Sequence, residues 1–182
     1  MKITVIGASS GIGLETVKIA LKRNHRVTGL SRSGVEITAN ANFTDIRGSA
    51  LHKPDLQKAI DGADAILIAL GTRKNMKATT LFSDFAKVLV AIHTESPISI
   101  PVILVTGFGT GESQNYVGWF VKLFIKYFLK DVYADKAIME ETIANSGMKW
   151  IVVRPGRLMD KPVTEKYRTE TNLFKGINIG NI

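Results

Sequence analysis

The chain has 182 residues, 45% of them hydrophobic and 22% charged, a size and balance suited to one globular domain with its own core. It contains no cysteine, which excludes disulfides, thiolate nucleophiles and thiolate metal sites, and no His or acid cluster suggests a metal. A net charge of +8 favours anionic ligands, but the lysines are dispersed without a nucleic-acid footprint, and no apolar run is long enough to span a bilayer. The first strand begins at once, without a basic-then-apolar leader, so a cytoplasmic protein is expected.

Residues 2–6, KITVI, read as a short buried strand that runs into Gly7-Ala8-Ser9-Ser10-Gly11-Ile12-Gly13. Glycine at such a turn tolerates positive φ and lets a pyrophosphate approach the backbone, while the free N–H groups of the following helix face the anion. Leu14, Val17, Ala20 and Leu21 form an apolar face opposite Glu15, Lys18 and Lys22, predicting a helix over 12–23, and 26–31 is the next strand. Strand before and helix plus strand after make this a candidate dinucleotide site. The bland alternative is a glycine-rich connector. Gly7-x-Ser9-x-Gly11 also fits a hydrolase nucleophile elbow, but no earlier strand supplies an oxyanion loop. The histidines His25, His52 and His93 do not follow in the required order either.

The spacing Gly7-x-x-x-Gly11-x-Gly13 resembles the short-chain dehydrogenase/reductase family. Strand two ends in Ser31-Arg32-Ser33 with no acid for a ribose 2′-hydroxyl. Arg32, with Ser9, Ser10, Ser31 or Ser33 as neutral donors, suits a 2′-phosphate, which favours NADP(H) over NAD(H). The other reading of Arg32 is a solvated surface charge.

Residues 36–43 are polar and are read as a third strand ending at Asp45. By the resemblance Asp45, with Ile46, stands at the adenine; a loop acid or helix cap is the alternative. A helix is predicted over 54–61, closed by Gly62, and 64–70, DAILIAL, is a buried strand. In the family Ala69, Leu70, Gly71 and Thr72 would pass over the adenine and its ribose. Arg73, Lys74 and Lys77 follow in an exposed loop, either near cofactor phosphates or simply solvated.

Leu81, Phe85, Val88, Leu89 and Ile92 predict a helix over 81–93, where His93 is a helix-end cation. Residues 101–106 are a buried strand, followed by a second glycine-rich loop at 107–113. The family places its catalytic hydroxyl there, which matches Thr106, with Thr110 and Ser113 as alternatives; it would orient a substrate carbonyl. The segment 116–130, YVGWFVKLFIKYFLK, carries Lys122, Lys126 and Lys130 as a narrow stripe on an otherwise apolar and aromatic helix. Four readings stay open: a pocket wall, a homodimer interface, a membrane-surface helix without stable insertion, or packing on the chain's own core.

Residues 131–146 continue as a helix ended by Gly147, and 149–154 form the last strand, running into Pro155-Gly156-Arg157-Leu158. The block YADKAIMEETIANSGMKWIVVRPGRL resembles the atypical short-chain group that includes flavin/biliverdin reductase-like and NmrA-like proteins. The resemblance makes Lys136 the lysine at the nicotinamide ribose and puts Pro155 and Gly156 near the carboxamide. One departure stands out: the family's Tyr-x-x-x-Lys would need tyrosine at Val132, and it is Tyr133 instead. On a helix i+3 shares a face with i+4, so Tyr133 can still approach the site as the proton donor, solvent being the fallback. The tail 160–182 is mixed, with Tyr167 and Phe174 as possible anchors. Relatives run further, so the chain is either naturally short or lacks its end.

The expected fold is therefore a single doubly wound α/β Rossmann domain over 1–182, with a parallel sheet, NADP(H) across its carboxyl edge and a substrate-side part from about 107. Two functions are carried forward. One is an NADPH-dependent reductase of an apolar carbonyl, quinone or flavin-like acceptor, using Thr106, Tyr133 and Lys136. The other is a noncatalytic NmrA-like NADP-binding regulator acting through a protein partner.

Overall fold

Short β-branched runs build the strands of one sheet: β1 (Lys2–Ile6), β2 (Arg26–Ser31), β3 (Phe43–Arg47), β4 (Ala65–Ile68), β5 (Val102–Val105) and β6 (Trp150–Val153). The computed structural model describes residues 1–72, 79–156, 158 and 169–171. All neighbouring strands run parallel in the order β3-β2-β1-β4-β5-β6, with Ile3 registered against Val27 on one side and Ala65 on the other. The order reverses between β1 and β4, and a crevice opens at the carboxyl ends of such strands. This is the doubly wound arrangement expected.

Two apolar clusters pack the sheet. Ile6, Ile66, Ile68 and Leu104 meet Phe82, Phe85 and Leu89 of α3 (Leu81–Glu95) and Met139 and Ile143 of α5 (Lys130–Ala144). A smaller cluster joins Val5 and Val27 to Val17 and Ala20 of α1 (Gly11–Lys22). Truncating a fully buried ring such as Phe85 to Ala would cost about 3–5 kcal/mol through lost burial and the cavity left behind. The helix α2 (Lys53–Ile60), with Pro54 in its first turn, inserts Leu56 and Ala59 under the same core.

A polar contact fixes the two helices that frame the crevice. Buried Asp135 of α5 accepts the N–H groups of Phe82 (2.9 Å) and Ser83 (3.1 Å). These are donors in the first turn of α3 that have no partner within their own helix. Thus α5 caps α3 from outside, and Lys136, next along the chain, is held at a fixed height above β5.

Two expectations need correction. The third strand is Phe43–Arg47, and residues 36–42 form no strand; a left-handed Gly34 (φ +75°) turns the chain there. A polar edge strand carries no apolar run to mark it, so its limits were not readable. The aromatic segment is helical only from α4 (Trp119–Phe124), after a 3-10 turn at Gly111–Tyr116, and it joins α5 through a π-helical turn at Ile125–Leu129. Residues 73–78, Arg157, and the tail residues Tyr167 and Phe174 lie outside the described residues.

Candidate functional site

The glycine turn after β1 is shaped by contacts that a side chain would break. Gly7 has φ +87°, and a Cβ there would lie 2.5 Å from the Ala69 carbonyl oxygen; a Cβ on Gly13 would overlap the Gly7 carbonyl oxygen. These two glycines bring strand and helix together, with Ala8 and Gly13 buried behind the turn. Gly11, at φ +55°, faces open space. Ser10 caps α1 without a side-chain hydrogen bond, and the first turn holds no acid. The N–H groups at the start of α1 are left for an anion.

In front of this turn lies a cleft of about 470 Å³ at the carboxyl ends of the strands. Gly7, Ser9, Ser10, Gly11 and Ile12 form its floor, Ser31, Arg32 and Ser33 one end, Ala69 to Thr72 the middle, and Thr106 and Lys136 the far end. A hollow of about 510 Å³ at the other end of the sheet, beside Ile98 and Ile100, gathers none of these groups. The Ser31 hydroxyl is buried on the cleft wall and is the one buried side-chain polar atom without a hydrogen bond among the described residues. Such an orphan is costly unless a ligand satisfies it. Arg32 is exposed on the cleft and forms no ion pair with a described acid.

The wall beyond β2 is made by Gly48, Ser49, Ala50 and Leu51, which the sequence reading passed over. Asp45 and Ile46 lie within β3 and off the lining; the Asp45 carboxylate stands 3.5 Å from Arg47 Nε. The 48–51 turn is pinned by Asp55, which accepts the Ser49 N–H at 2.9 Å. That bond, then His52, holds the Asp55 carboxyl below its ordinary range. Gly48 is the readable signal, since any side chain there would collide with Asp55.

At the far end, Lys136 donates to the Thr106 carbonyl oxygen at 2.9 Å, and its ammonium lies 5.1 Å from the Phe82 ring. Burial lowers the pKa of Lys136, and the charge of Glu140 partly opposes this. Beneath it runs a hydrogen-bonded chain. The Thr106 and Thr110 hydroxyl oxygens are 3.2 Å apart, Thr110 Oγ1 is 2.6 Å from Glu140 Oε1, and Arg154 Nη2 donates to Glu140 Oε2 at 2.7 Å. Thr110 has a single hydrogen. The short bond to an ionised acceptor takes it, so the Thr110 oxygen accepts the hydrogen of Thr106.

Tyr133 stands on the other side of this chain. Its hydroxyl is beside Gly107, where a Cβ would lie 3.4 Å away, and its ring, beside Gly109, lines a second cavity. Burial raises its pKa, which keeps the phenol protonated. Thus Thr106 and Lys136 share one cavity, Tyr133 and Thr110 line the next, and the 106–110 loop is the wall between. Ser113 is occupied within that loop, donating to the Thr110 carbonyl and accepting the Gly109 N–H. Pro155 and Gly156 stand off the cleft lining, and the Pro155 carbonyl accepts the Phe108 N–H at 2.9 Å. Glu140 and Arg154 were not anticipated; the sign was an acid and a base facing each other from a buried helix and a strand end.

The model of an NAD(P)H-binding family matches residues 7–179. Among curated proteins, a short chain dehydrogenase, prhI, of Penicillium brasilianum is 29% identical over 124 residues, which cover 59% of this chain and 48% of that protein. The chain therefore spans about half the length of the curated relatives it matches. Among solved structures, ChuY, an anaerobillin reductase from Escherichia coli O157:H7, superposes with a TM-score of 0.74 at 19% identity, covering all of this chain and 84% of that one. A short-chain dehydrogenase/reductase from Veillonella parvula DSM 2008 in complex with NADP gives 0.70 at 17% identity, over 88% of this chain and 71% of that one. At these identities the likeness speaks for the fold.

Proposed function

The chain belongs to this NAD(P)H-binding family, and on that premise we propose that it is a cytoplasmic NADPH-dependent reductase of an apolar carbonyl, quinone or flavin-like acceptor. The observation that carries the cofactor half is the cleft itself, with a helix start that has no side-chain cap bond, a Ser31 hydroxyl orphaned among the described residues and an Arg32 that pairs with no described acid along one wall. A dinucleotide fits these residues. The glycine turn and the α1 N–H groups would hold the pyrophosphate, Arg32 with Ser31 and Ser33 the 2′-phosphate, Ser49 to Leu51 the adenine end, and Lys136 the nicotinamide ribose. When bound, the reduced nicotinamide supplies a hydride, which brings two electrons and one hydrogen to the acceptor.

The chain's own residues would orient the acceptor and provide the remaining proton. Lys136, drawn onto the Thr106 carbonyl, keeps the cleft's far end cationic and fixes the strand end. Thr106 would present a hydroxyl to the acceptor oxygen once its hydrogen turns from Thr110. Tyr133, kept protonated by burial, would donate from beside Gly107 at the start of the dividing loop, with solvent replenishing it. The balance is one hydride and one proton added across a C=O or quinone.

A second reading rests on a different observation. Trp119, Phe120, Phe124, Tyr127 and Phe128 are all more than half exposed, a surface suited to a protein partner or to a second copy of the chain, as in an NADP-binding regulator. NADPH consumption with a panel of quinones, flavins and aldehydes separates the two. Turnover that falls at least tenfold in Tyr133→Phe or Lys136→Met supports the reductase, and cofactor binding without turnover on any acceptor supports the regulator.

A further inference from the structure

The helical run 119–130 turns most of its surface outward. Ile125 and Leu129 are its only partly covered residues, while Phe120, Leu123, Phe124, Tyr127 and Phe128 are exposed, Phe120 at 70% and Tyr127 at 72%. Positions three and four apart share a helix face, so these five side chains form one apolar band. Ring contacts tie it together, with the Trp119 and Phe120 centroids 3.7 Å apart and those of Phe124 and Phe128 5.2 Å apart. Lys122, Lys126 and Lys130 run along one edge of the band, on the side where they and Ile125 line the second cavity, and they pair with no described acid. No Asp or Glu occurs in the sequence between Glu112 and Asp131.

An aromatic band with a basic edge selects what can cover it. A second copy of the chain would do so through an isologous contact, which sets the same face against itself. Three lysines from each copy would then approach with no acid on either run to meet them, on a chain whose net charge is already +8. An anionic bilayer is the complementary surface. Aromatic side chains settle at the level of the headgroups, and lysine stems lie along apolar surface while their ammonium groups reach lipid phosphates. No described helix is long and apolar enough to cross a membrane, so the run would lie in the plane of the interface.

We infer that the 119–130 face docks the protein reversibly on a membrane surface rich in anionic lipids, with Phe120, Phe124, Tyr127 and Phe128 entering the interface and Lys122, Lys126 and Lys130 holding the headgroups. Docking of this kind does not depend on the chemistry of the cleft. Its electrostatic share fades with salt.

Co-sedimentation of the full chain with vesicles tests it, phosphatidylcholine alone being compared with an equal mixture of phosphatidylcholine and phosphatidylglycerol. Each lysine near an anionic surface is worth roughly fivefold in affinity, so the three together contribute on the order of 100-fold. At least tenfold tighter binding to the mixed vesicles is expected, and a loss of at least tenfold in both Lys122→Gln/Lys126→Gln/Lys130→Gln and Phe120→Ser/Phe124→Ser/Phe128→Ser. Both variants change only exposed side chains, and unaltered thermal melting checks that they fold. The chain has two tryptophans, so in Trp150→Phe the fluorescence reports Trp119 alone, and its emission should shift to the blue on mixed vesicles whether or not the triple variants fold. No preference for the anionic vesicles, binding that survives both triple variants, or an unshifted Trp119 emission on bound protein overturns the proposal. So does a dimer, seen by sedimentation without vesicles, that dissociates in the aromatic variant, since a second copy then covers the face.

Discussion

Replacing Glu140 by Gln tests the chain that runs beneath the cleft. The carboxylate is 7% exposed, takes Arg154 Nη2 at 2.7 Å and Thr110 Oγ1 at 2.6 Å, and thereby sets the direction of the Thr106 hydroxyl. The amide keeps the shape but loses the charge and can accept at only one oxygen. Arg154, 24% exposed, then keeps a poorly paired charge. Breaking a fully buried pair costs about 3–5 kcal/mol, and the partial exposure of Arg154 reduces this to about 2–4 kcal/mol. For a chain of this length that is a melting-temperature drop of roughly 5–15 °C. Urea unfolding followed by circular dichroism reads it directly. Thr110→Val, which removes one hydroxyl and leaves the ion pair, should cost about 1–3 kcal/mol. The apolar pair Glu140→Leu/Arg154→Met should recover part of the loss, since no charge is then left without its partner. A Glu140→Gln loss below about 0.5 kcal/mol, the range of an ordinary surface substitution, would refute this account of the chain.

Gly13→Ala should abolish NADPH binding and lower stability, because the new methyl overlaps the Gly7 carbonyl oxygen; a variant that binds NADPH like the wild type would show that the turn is not so tightly packed. Asp135→Ala removes the outside cap of α3 and should cost about 2–4 kcal/mol, with faster hydrogen exchange at the Phe82 and Ser83 amides as its local mark. Lys136 sits below its ordinary pKa of 10.5 because of burial, so as pH rises toward that value the unfolded chain still holds a proton that the folded chain has released. Stability should therefore rise with pH in the window below 10.5, and Lys136→Met should flatten that rise in urea titrations at pH 8, 9 and 10.

How much was legible depended on whether backbone or side chains carried the signal. The runs KITVI, AILI and VILV are buried on both faces of a parallel sheet and read as strands without help. The glycine turn was readable for the same kind of reason, since Gly7 and Gly13 stand where no side chain fits. β3 was misplaced because an edge strand needs only backbone pairing, so its FTDIR shows no alternation. Asp45, read as following the third strand, lies within it, and Ser49 to Leu51 line the cleft. The tyrosine shift was visible in the spacing of Tyr133 and Lys136, but not its consequence. Only the tertiary arrangement of the 106–110 loop shows the two side chains serving different cavities. Nor could helical periodicity reveal a π turn, since Lys122, Lys126 and Lys130 fit an ordinary α stripe equally well.

The most direct test of the central claim is calorimetry of NADPH and NADH binding to the wild type and to Arg32→Ala. Arg32 has no ion pair with a described acid to lose, so the variant should fold normally. Charge-assisted bonds to a phosphate contribute about 1.5–3 kcal/mol, so NADPH affinity should fall by roughly 10- to 150-fold while NADH affinity stays the same. If the wild type bound neither cofactor, the cleft would be architecture alone and the proposed reductase would be wrong.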